Sequence, residues 1–379
     1  MAKGLESLYK KERNVRMQKI IYEIMHTNRK VARIDTSGHC KIYFKSFMPY
    51  SLYLEEYEDI DTLINNITNF YYWCASRVLT LDRKYAKEIL NSIGMPQAVT
   101  DRERAMVALS YRCASLTDVF WVREKGEKVL FEDINLYDNH LGKIFIDISL
   151  KGRQYTVENK YLARDLSTGG CFPKAWQRTG HGFRLLKGGE GEAVERELLA
   201  SRISRCFRIS QVLYEEGYFD GEKVSVSNNF TSKEFSLASM EAFTVFLQNE
   251  GKDVKKYILK LDAYNYYMMN VVDYLVGNTD RHWGNWGVLV DNSNNKAKCL
   301  HKLMDFNQAF HAYDNLEGAN CQTVFCSGLT QREAAVMAVE NVGLNQIREV
   351  EQEVFSCLPQ YYDMFMMRLG VLREAVKVF

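Results

Sequence analysis

Two carboxylates and one carboxamide lie close together in the second half of the chain. Asp280 precedes Asn285 by five residues, and Asp305 follows twenty residues later, directly before Phe306. Phosphoryl transfer from ATP requires such a set, because one Asp orients and deprotonates a hydroxyl while an Asn and a second Asp hold magnesium. The spacing therefore predicts a phosphotransferase site, with Asp280 as the catalytic base and Asn285 and Asp305 as Mg2+ ligands.

The surroundings of Asp280 place it on a loop. Gly277 follows an apolar helical pattern, and glycine is a common residue at the end of a helix. An isolated Asp on such a loop is usually a turn or capping residue. His282 can hydrogen-bond to this loop and fix it, so we group it with Asp280 as a catalytic candidate.

A predicted hairpin brings the three polar groups together. Residues 286–290 form one extended segment, residues 299–304 form the second, and the polar residues 291–295 supply the turn. Asp280 and Asn285 would then flank the hairpin on one side and Asp305 on the other.

A nucleotide site also needs a cation that contacts phosphate. Lys187 ends a predicted strand, and Glu197 lies on a predicted helix from about residue 192 to 203, which would give a strand-lysine to helix-carboxylate pair. Glu192 and Glu195 compete with Glu197 for this partner role. Lys174 is a second basic candidate over the phosphates.

A glycine-rich turn precedes Lys174. Glycine permits close approach of the backbone, so N–H groups of such a turn can cradle phosphates, although a Gly-Gly turn is more often only a turn. The ATP-binding candidates are therefore Lys187, Glu197, Ser167, Thr168, Gly169, Gly170 and Lys174.

Composition indicates an ordinary globular protein of 379 residues, with 46% hydrophobic and 26% charged residues. A formal net charge of +1 argues against direct binding of nucleic acid or anionic membranes. The nine cysteines show no Cys-x-x-Cys spacing, which indicates reduced thiols in a cytoplasmic protein. No apolar run reaches about 18 residues, so no membrane span is predicted.

The order of elements predicts an α+β, two-lobed fold with a ligand site between the lobes. A β-rich N-terminal lobe is followed along the chain by a mostly helical C-terminal lobe, and an extra β and helical region precedes both. The predicted domains are a small β subdomain (1–55), a helical insertion (56–112), a β-rich nucleotide-binding lobe (113–235) and a helical catalytic lobe (236–379). Strands are predicted at 30–34, 40–44, 117–122, 143–149, 172–177, 183–187 and 224–227, and helices at 1–20, within 60–111, and at 236–249, 253–276, 330–341, 344–356 and 360–376.

The motif Asn-x-Asp-Arg-His-x-x-Asn, followed by a strand pair and Asp-Phe, resembles the HipA family of bacterial serine/threonine kinases. The resemblance extends through Ser-Thr-Gly-Gly-x-x-x-Lys174 and Leu-Leu-Lys187 to Glu197, and covers about residues 160–310. Phosphoinositide kinases are more distantly similar. The resemblance implies a two-lobed kinase-like fold that binds ATP and Mg2+, with Asp280 as base, Asn285 and Asp305 as metal ligands and Lys187 as the phosphate-binding lysine.

The family resemblance also implies partners. Some members autophosphorylate a serine in the glycine-rich loop, where Ser167 stands, and the adenine hinge would fall near residues 225–230. Many members are toxins held by a DNA-binding antitoxin, which implies an antitoxin-like protein partner beside the protein substrate. We therefore expect an ATP- and Mg2+-dependent kinase acting on a protein Ser/Thr hydroxyl.

Two alternatives stay open at this point. The glycine-rich loop and the hinge depart from the usual family pattern, and a nucleotide-binding pseudokinase with a regulatory role would tolerate such changes. A small-molecule or lipid kinase would use the same three cleft residues, although the nearly neutral charge of the chain does not favour an acidic membrane substrate.

Overall fold

The computed structural model describes residues 19–78, 89, 100–138, 173–180, 182–323 and 325–376. Most of the predicted helix 1–20, the predicted strand 143–149, part of the helical stretch 60–111 and the glycine-rich turn 167–170 lie outside the described residues. The described strands are β1 (Ile21–His26), β2 (Arg29–Asp35), β3 (Cys40–Ile42), β4 (Phe120–Glu124), β5 (Lys174–Thr179), β6 (Gly182–Lys187), β7 (Tyr214–Phe219), β8 (Glu222–Asn228), β9 (Phe235–Ser239), β10 (Gly287–Asp291) and β11 (Lys296–Leu300).

Four of the eight described α-helices, including the longest, lie after residue 236, in the part predicted to be mostly helical. The described α-helices are α1 (Ile60–Ala75), α2 (Asp101–Ser110), α3 (Phe131–Ile134), α4 (Ala193–Ser204), α5 (Met240–Asn249), α6 (Val254–Val276), α7 (Gln331–Val342) and α8 (Tyr362–Val376). Short 3-10 turns occur at Lys45–Phe47, Gln352–Phe355 and Pro359–Tyr361. None of these helices combines the length and the apolar character that crossing a bilayer requires. The eight described cysteines carry free thiols.

The strands form three antiparallel sheets. The first has the order β3-β2-β1-β4, the second β5-β6-β8-β7 and the third β11-β10-β9. The second sheet carries Lys187 at the end of β6 and packs α4 against one face. The third sheet lies at the start of the helical lobe and frames the loops that hold Asp280 and Asp305.

The N-terminal sheet packs on α1 and α2 around a separate core. Asp59 caps α1 by accepting a hydrogen bond from the backbone N–H of Thr62 at 2.9 Å. Buried residues then recur on one face of α1 at three- and four-residue spacings, which is the pattern of an amphipathic helix. This row consists of Thr62, Asn66, Phe70 and Trp73.

The core of the helical lobe is built around α6. The helix kinks at Asp262, and its second half, from Tyr266 to Val276, is largely buried because α7, α8 and β11 surround it. Gly277 ends the helix with a φ of +57°, where a Cβ atom would lie 2.6 Å from Cδ2 of Tyr313. The predicted helix end at Gly277 is therefore confirmed, and a glycine is needed there on both grounds.

Three local predictions differ from the structure. The predicted helix 236–249 begins only at Met240, because residues 235–239 pair with β10 as β9. The predicted helix 344–356 is wrong: Asn345 has a φ of +49°, its carbonyl accepts a hydrogen bond from the Arg208 N–H, and only a 3-10 turn forms at Gln352–Phe355. The second hairpin strand is Lys296–Leu300 rather than 299–304, because Leu303 instead pairs in parallel with Gln211. The strands β1 and β7 and the short helix α3 were not predicted.

Candidate active site

The site is built from the end of β6, the buried face of α4 and two loops of the helical lobe. Lys187 Nζ donates to Oε1 of Glu197 at 2.5 Å and to Oδ1 of Asp305 at 2.9 Å. The Lys187 and Glu197 side chains are only 6% and 2% exposed. Burial would lower the pKa of Lys187, but Asp305 and Glu197 overcome this effect and raise the pKa well above its ordinary value. Lys187 is therefore a fixed cation.

The strand-lysine to helix-carboxylate pair predicted from the sequence is formed by Glu197. The competing carboxylates point elsewhere: Glu195 lies 3.4 Å from Lys223 and Glu192 lies 3.4 Å from Arg196. Glu197 is held from its other side as well, because the buried hydroxyl of Ser225 on β8 donates to Oε2. Ser225 lies in the segment expected to be the adenine hinge, but its side chain hydrogen-bonds to Glu197.

Asp305 lies in a left-handed backbone conformation with a φ of +62°. Burial alone would raise its pKa, but the cations Lys187 and Lys174 hold the pKa of Asp305 at about 2. Asp305 is consequently a carboxylate at every physiological pH. Lys174, the first residue of β5, is half-buried and stands opposite Lys187 in the β5–β6 pairing. It thus lies beside the same carboxylate as Lys187.

The loop after α6 holds the second carboxylate and the carboxamide. Asn285 Nδ2 donates to the backbone oxygen of Asp280 at 2.8 Å and to its Oδ2 at 3.3 Å. Burial raises the pKa of Asp280; His282 opposes this shift, and the charge of Asp305 adds to it. A carboxylate with a raised pKa is a better proton acceptor. The negative charge of Asp305 is thus one of the influences that raise the pKa of Asp280, after burial.

His282 contacts the backbone of its own loop and forms no short bond to Asp280. Its Nδ1 accepts the backbone N–H of Gly284 at 3.0 Å, and its Nε2 lies 3.8 Å from Oδ1 of Asp280. Trp283 is partly exposed, and its indole N–H donates to the backbone oxygen of Gln322 at 3.2 Å. The loop is consequently tied both to itself and to the segment that precedes α7.

A buried arginine joins the two loops. Arg281 forms a bidentate pair with Asp273 in the last turn of α6, at 2.8 and 3.0 Å. Its Nη1 also donates to the backbone oxygens of Asn285 at 2.9 Å and Met304 at 2.5 Å. One guanidinium thus fixes the Asp280–Asn285 loop against the residue that precedes Asp305. A planar fork of donors is suited to this task.

Sequence reasoning missed several residues of the site. Arg281 lies inside the motif that was recognised, but nothing in the spacing assigns it a role. Asp273, Tyr214 and Ser225 carry no sequence signal that separates them from ordinary helix or strand residues. The positions of Ser167, Thr168, Gly169 and Gly170 lie outside the described residues, so their phosphate-binding role stays a prediction.

The arrangement of donors fits a hard divalent cation. Magnesium prefers oxygen ligands, usually one or two carboxylates completed by water and phosphate. Asp280 and Asp305 supply carboxylate oxygens, and the Nδ2 hydrogen bonds of Asn285 leave its Oδ1 without a partner among the described residues. Lys187 contacts Asp305 at 2.9 Å and supplies positive charge that attracts a phosphate. The site can therefore hold a metal–phosphate group between two loops and a lysine.

Comparison with solved structures identifies the fold. No protein-family model and no curated protein sequence matches the chain. HipA of Shewanella oneidensis MR-1, solved in a toxin–antitoxin complex with HipB and operator DNA, matches 94% of this chain and 100% of its own at 12% identity and a TM-score of 0.53. CtkA, a proinflammatory kinase of Helicobacter pylori, matches 55% of this chain and 91% of its own at 14% identity and a TM-score of 0.42.

The α+β fold predicted from the sequence is confirmed by the HipA match, which spans nearly the whole chain. The β-rich part carrying Lys187 and the helical part carrying Asp280 and Asp305 correspond to the two predicted lobes. The chain therefore has the two-lobed kinase-like fold of HipA, in agreement with the family resemblance of its motifs.

Proposed function

We propose that this protein is an ATP- and Mg2+-dependent kinase that transfers the γ-phosphoryl group to a Ser or Thr hydroxyl of a protein substrate. One observation carries the proposal. In this one arrangement Lys187 contacts Asp305 at 2.9 Å, Asn285 contacts Asp280 at 3.3 Å, and the Arg281 guanidinium joins the two loops by donating to the backbone oxygens of Asn285 and Met304. A phosphate-binding cation, a base and two metal ligands therefore surround one site.

Each side chain has a role in this proposal. Asp280 orients the attacking hydroxyl and accepts its proton, and its raised pKa suits that task. Lys187, held by Glu197, neutralises charge on the nucleotide phosphates. Asn285 and Asp305 would hold Mg2+, which supplies charge neutralisation at the transferring phosphoryl group. Catalysis is then mainly positioning and electrostatic stabilisation.

A protein partner is proposed on the basis of the same comparison. The HipA neighbour was solved with HipB and operator DNA, and a comparable antitoxin-like protein is proposed as a partner of this chain. The expectation that the chain does not contact nucleic acid gains no support from that complex. A serine in the glycine-rich loop, Ser167, is the proposed site of autophosphorylation.

Incubation of the purified chain with γ-labelled ATP, with Mg2+ or with EDTA, tests the proposal. The wild type should label itself or an added protein only with Mg2+. Asp280→Ala should keep its ATP affinity but lose turnover by about 10³-fold or more. Asp61→Ala, which removes an exposed carboxylate in the first turn of α1, is the matched control and should behave like the wild type.

Other outcomes would replace the proposal. Wild-type labelling by Asp280→Ala would remove Asp280 from its role. Nucleotide binding without any labelling or hydrolysis would favour a pseudokinase. Transfer to a small molecule or lipid in a substrate screen, without transfer to protein, would assign a different substrate class.

A further inference from the structure

A buried tyrosine contacts the backbone of Asp305 and is not part of the predicted site. The hydroxyl oxygen of Tyr214, the first residue of β7, accepts the backbone N–H of Asp305 at 3.0 Å. The ring lies 5.5 Å from Lys187 Nζ and makes an edge contact with Phe306. Tyr214 is 5% exposed. Tyr214 therefore lies in the protein interior beside both Asp305 and Lys187.

The hydrogen bond from Asp305 to Tyr214 is made by a residue with an uncommon backbone conformation. A φ of +62° is uncommon for a residue with a side chain, and such conformations persist only where the surroundings hold them. This conformation directs the Asp305 carboxylate to Lys187. Loss of the acceptor would leave a largely buried N–H group unpaired, which favours a different backbone conformation.

The position of Tyr214 is itself set by two elements. The Val212 N–H donates to the Leu303 oxygen at 2.8 Å, so the entry to β7 runs beside the segment that leads to Asp305. The Tyr214 backbone N–H donates to Oγ of Ser201 at 3.1 Å. The Tyr214 backbone oxygen accepts from the Arg205 guanidinium at 3.0 Å. Ser201 lies on α4, the helix that carries Glu197, and Arg205 is the residue that caps its C-terminal end.

Helix α4 therefore reaches Asp305 by two routes. In the first, Glu197 on α4 pairs with Lys187, which pairs with the Asp305 carboxylate. In the second, Ser201 on α4 accepts a hydrogen bond from the Tyr214 backbone, and the Tyr214 hydroxyl accepts one from the Asp305 backbone. The first series of contacts acts on the charge of the Asp305 carboxylate, and the second acts on the conformation of the Asp305 backbone. The residue at the end of the second route is a tyrosine whose hydroxyl can be removed without changing the shape of the ring.

We propose that Tyr214 is the positioning residue that holds Asp305 in its metal-binding orientation and couples this orientation to α4. The inference rests on the proposed function for the role of Asp305 as a ligand. The hydrogen bond between Tyr214 and the Asp305 backbone stands independently of that role. The ligand concerned is a divalent cation bound together with a nucleoside triphosphate.

Binding of Mn2+, a spectroscopic substitute for Mg2+, tests the proposal in the presence of a non-hydrolysable ATP analogue. Free Mn2+ is measured by electron paramagnetic resonance for the wild type, Tyr214→Phe and Tyr218→Phe. We expect roughly tenfold weaker Mn2+ binding by Tyr214→Phe, the loss associated with one hydrogen bond to a buried group. Tyr218→Phe, an exposed hydroxyl deletion on the same strand that removes only a contact with Glu216, should match the wild type.

A kinetic measurement and an exchange measurement complete the test. Turnover at saturating Mg2+ should stay within about threefold of the wild type, because the substitution weakens metal binding rather than the chemical step. The Asp305 amide should exchange with deuterium faster in Tyr214→Phe without nucleotide or metal. If that variant does not fold, Ser201→Ala, which removes one of the two hydrogen bonds between the Tyr214 backbone and α4 with its C-cap, should shift Mn2+ binding in the same direction.

Two results are distinguishable. Equal Mn2+ binding and equal exchange in Tyr214→Phe and the wild type would overturn the inference while leaving the proposed function intact. Absence of metal–nucleotide binding by the wild type would overturn the proposed function, and the exchange of the Asp305 amide would still decide whether Tyr214 holds this backbone.

Discussion

Removal of Lys187 should destabilise the protein more than neutralisation of Glu197, its most buried partner. Lys187→Met leaves Glu197 and Asp305 without their shared cation, and the Glu197 side chain is 2% exposed. Breaking a buried ion pair by deleting one partner costs about 3–5 kcal/mol, because the remaining charge is desolvated and unpaired. Glu197→Gln should cost less, about 1–2 kcal/mol, since Lys187 keeps Asp305 and the amide still accepts hydrogen bonds.

The double variant Lys187→Met/Glu197→Gln tests whether these costs share one cause. It removes the cation and the most buried carboxylate together, so its loss of stability should fall below the sum of the single losses by about 1–3 kcal/mol. Urea unfolding followed by tryptophan fluorescence measures each free energy of unfolding. Lys223→Met is the control: its pair with Glu195 is 3.4 Å long and both side chains are 26–30% exposed, so its loss should stay below about 1 kcal/mol.

Two results would refute this reasoning. Additive losses in the double variant would mean that Lys187 and Glu197 do not interact in the folded protein. A Lys187→Met protein as stable as Lys223→Met would mean that Lys187 is solvated, and the fixed cation of the proposed site would not exist.

Further predictions concern the loop junction and pH. Arg281→Met should lower the free energy of unfolding by about 3–5 kcal/mol, because it leaves the buried Asp273 carboxylate without its cation. It should also abolish phosphoryl transfer. Normal turnover would contradict the role of Arg281 in joining the Asp280–Asn285 loop to the segment before Asp305. Burial lowers the pKa of His301 to about 4, so the unfolded chain binds more protons between pH 6.5 and 4, and acidification through this window should reduce stability by up to about 3 kcal/mol at this residue. His301→Gln should show a smaller loss of urea midpoint between pH 7 and 5 than the wild type, and an unchanged loss would contradict that assignment.

The parts of the site that sequence predicts well are those defined by local spacing. The helix end at Gly277, the loop with Asp280 and Asn285, and the first hairpin strand β10 all follow from glycine and turn residues beside apolar runs. The lysine-to-helix pair was predictable in kind. The correct carboxylate was not predictable from the helical pattern, because Glu195 also lies three and four residues before the buried Leu198 and Leu199.

The remaining features depend on contacts between distant segments. Leu303 pairs with the chain entering β7, so the residues before Asp305 are not the hairpin strand that their apolar pattern suggested. Phe235–Ser239 pairs with β10, and this pairing overrides the helical pattern that continues into α5. The roles of Tyr214, Ser225 and Arg281 arise from the same long-range packing, which a single sequence does not encode in any local pattern.

The most direct test of the proposed site is equilibrium binding of ATP, measured by calorimetry with Mg2+ and with EDTA. The wild type should bind ATP much more tightly with Mg2+, and Asp305→Asn and Asn285→Ala should each lose most of this Mg2+-dependent gain. Equal ATP affinity with Mg2+ and with EDTA, or a full Mg2+-dependent gain in both variants, would contradict the assignment of a shared metal–nucleotide site to these residues.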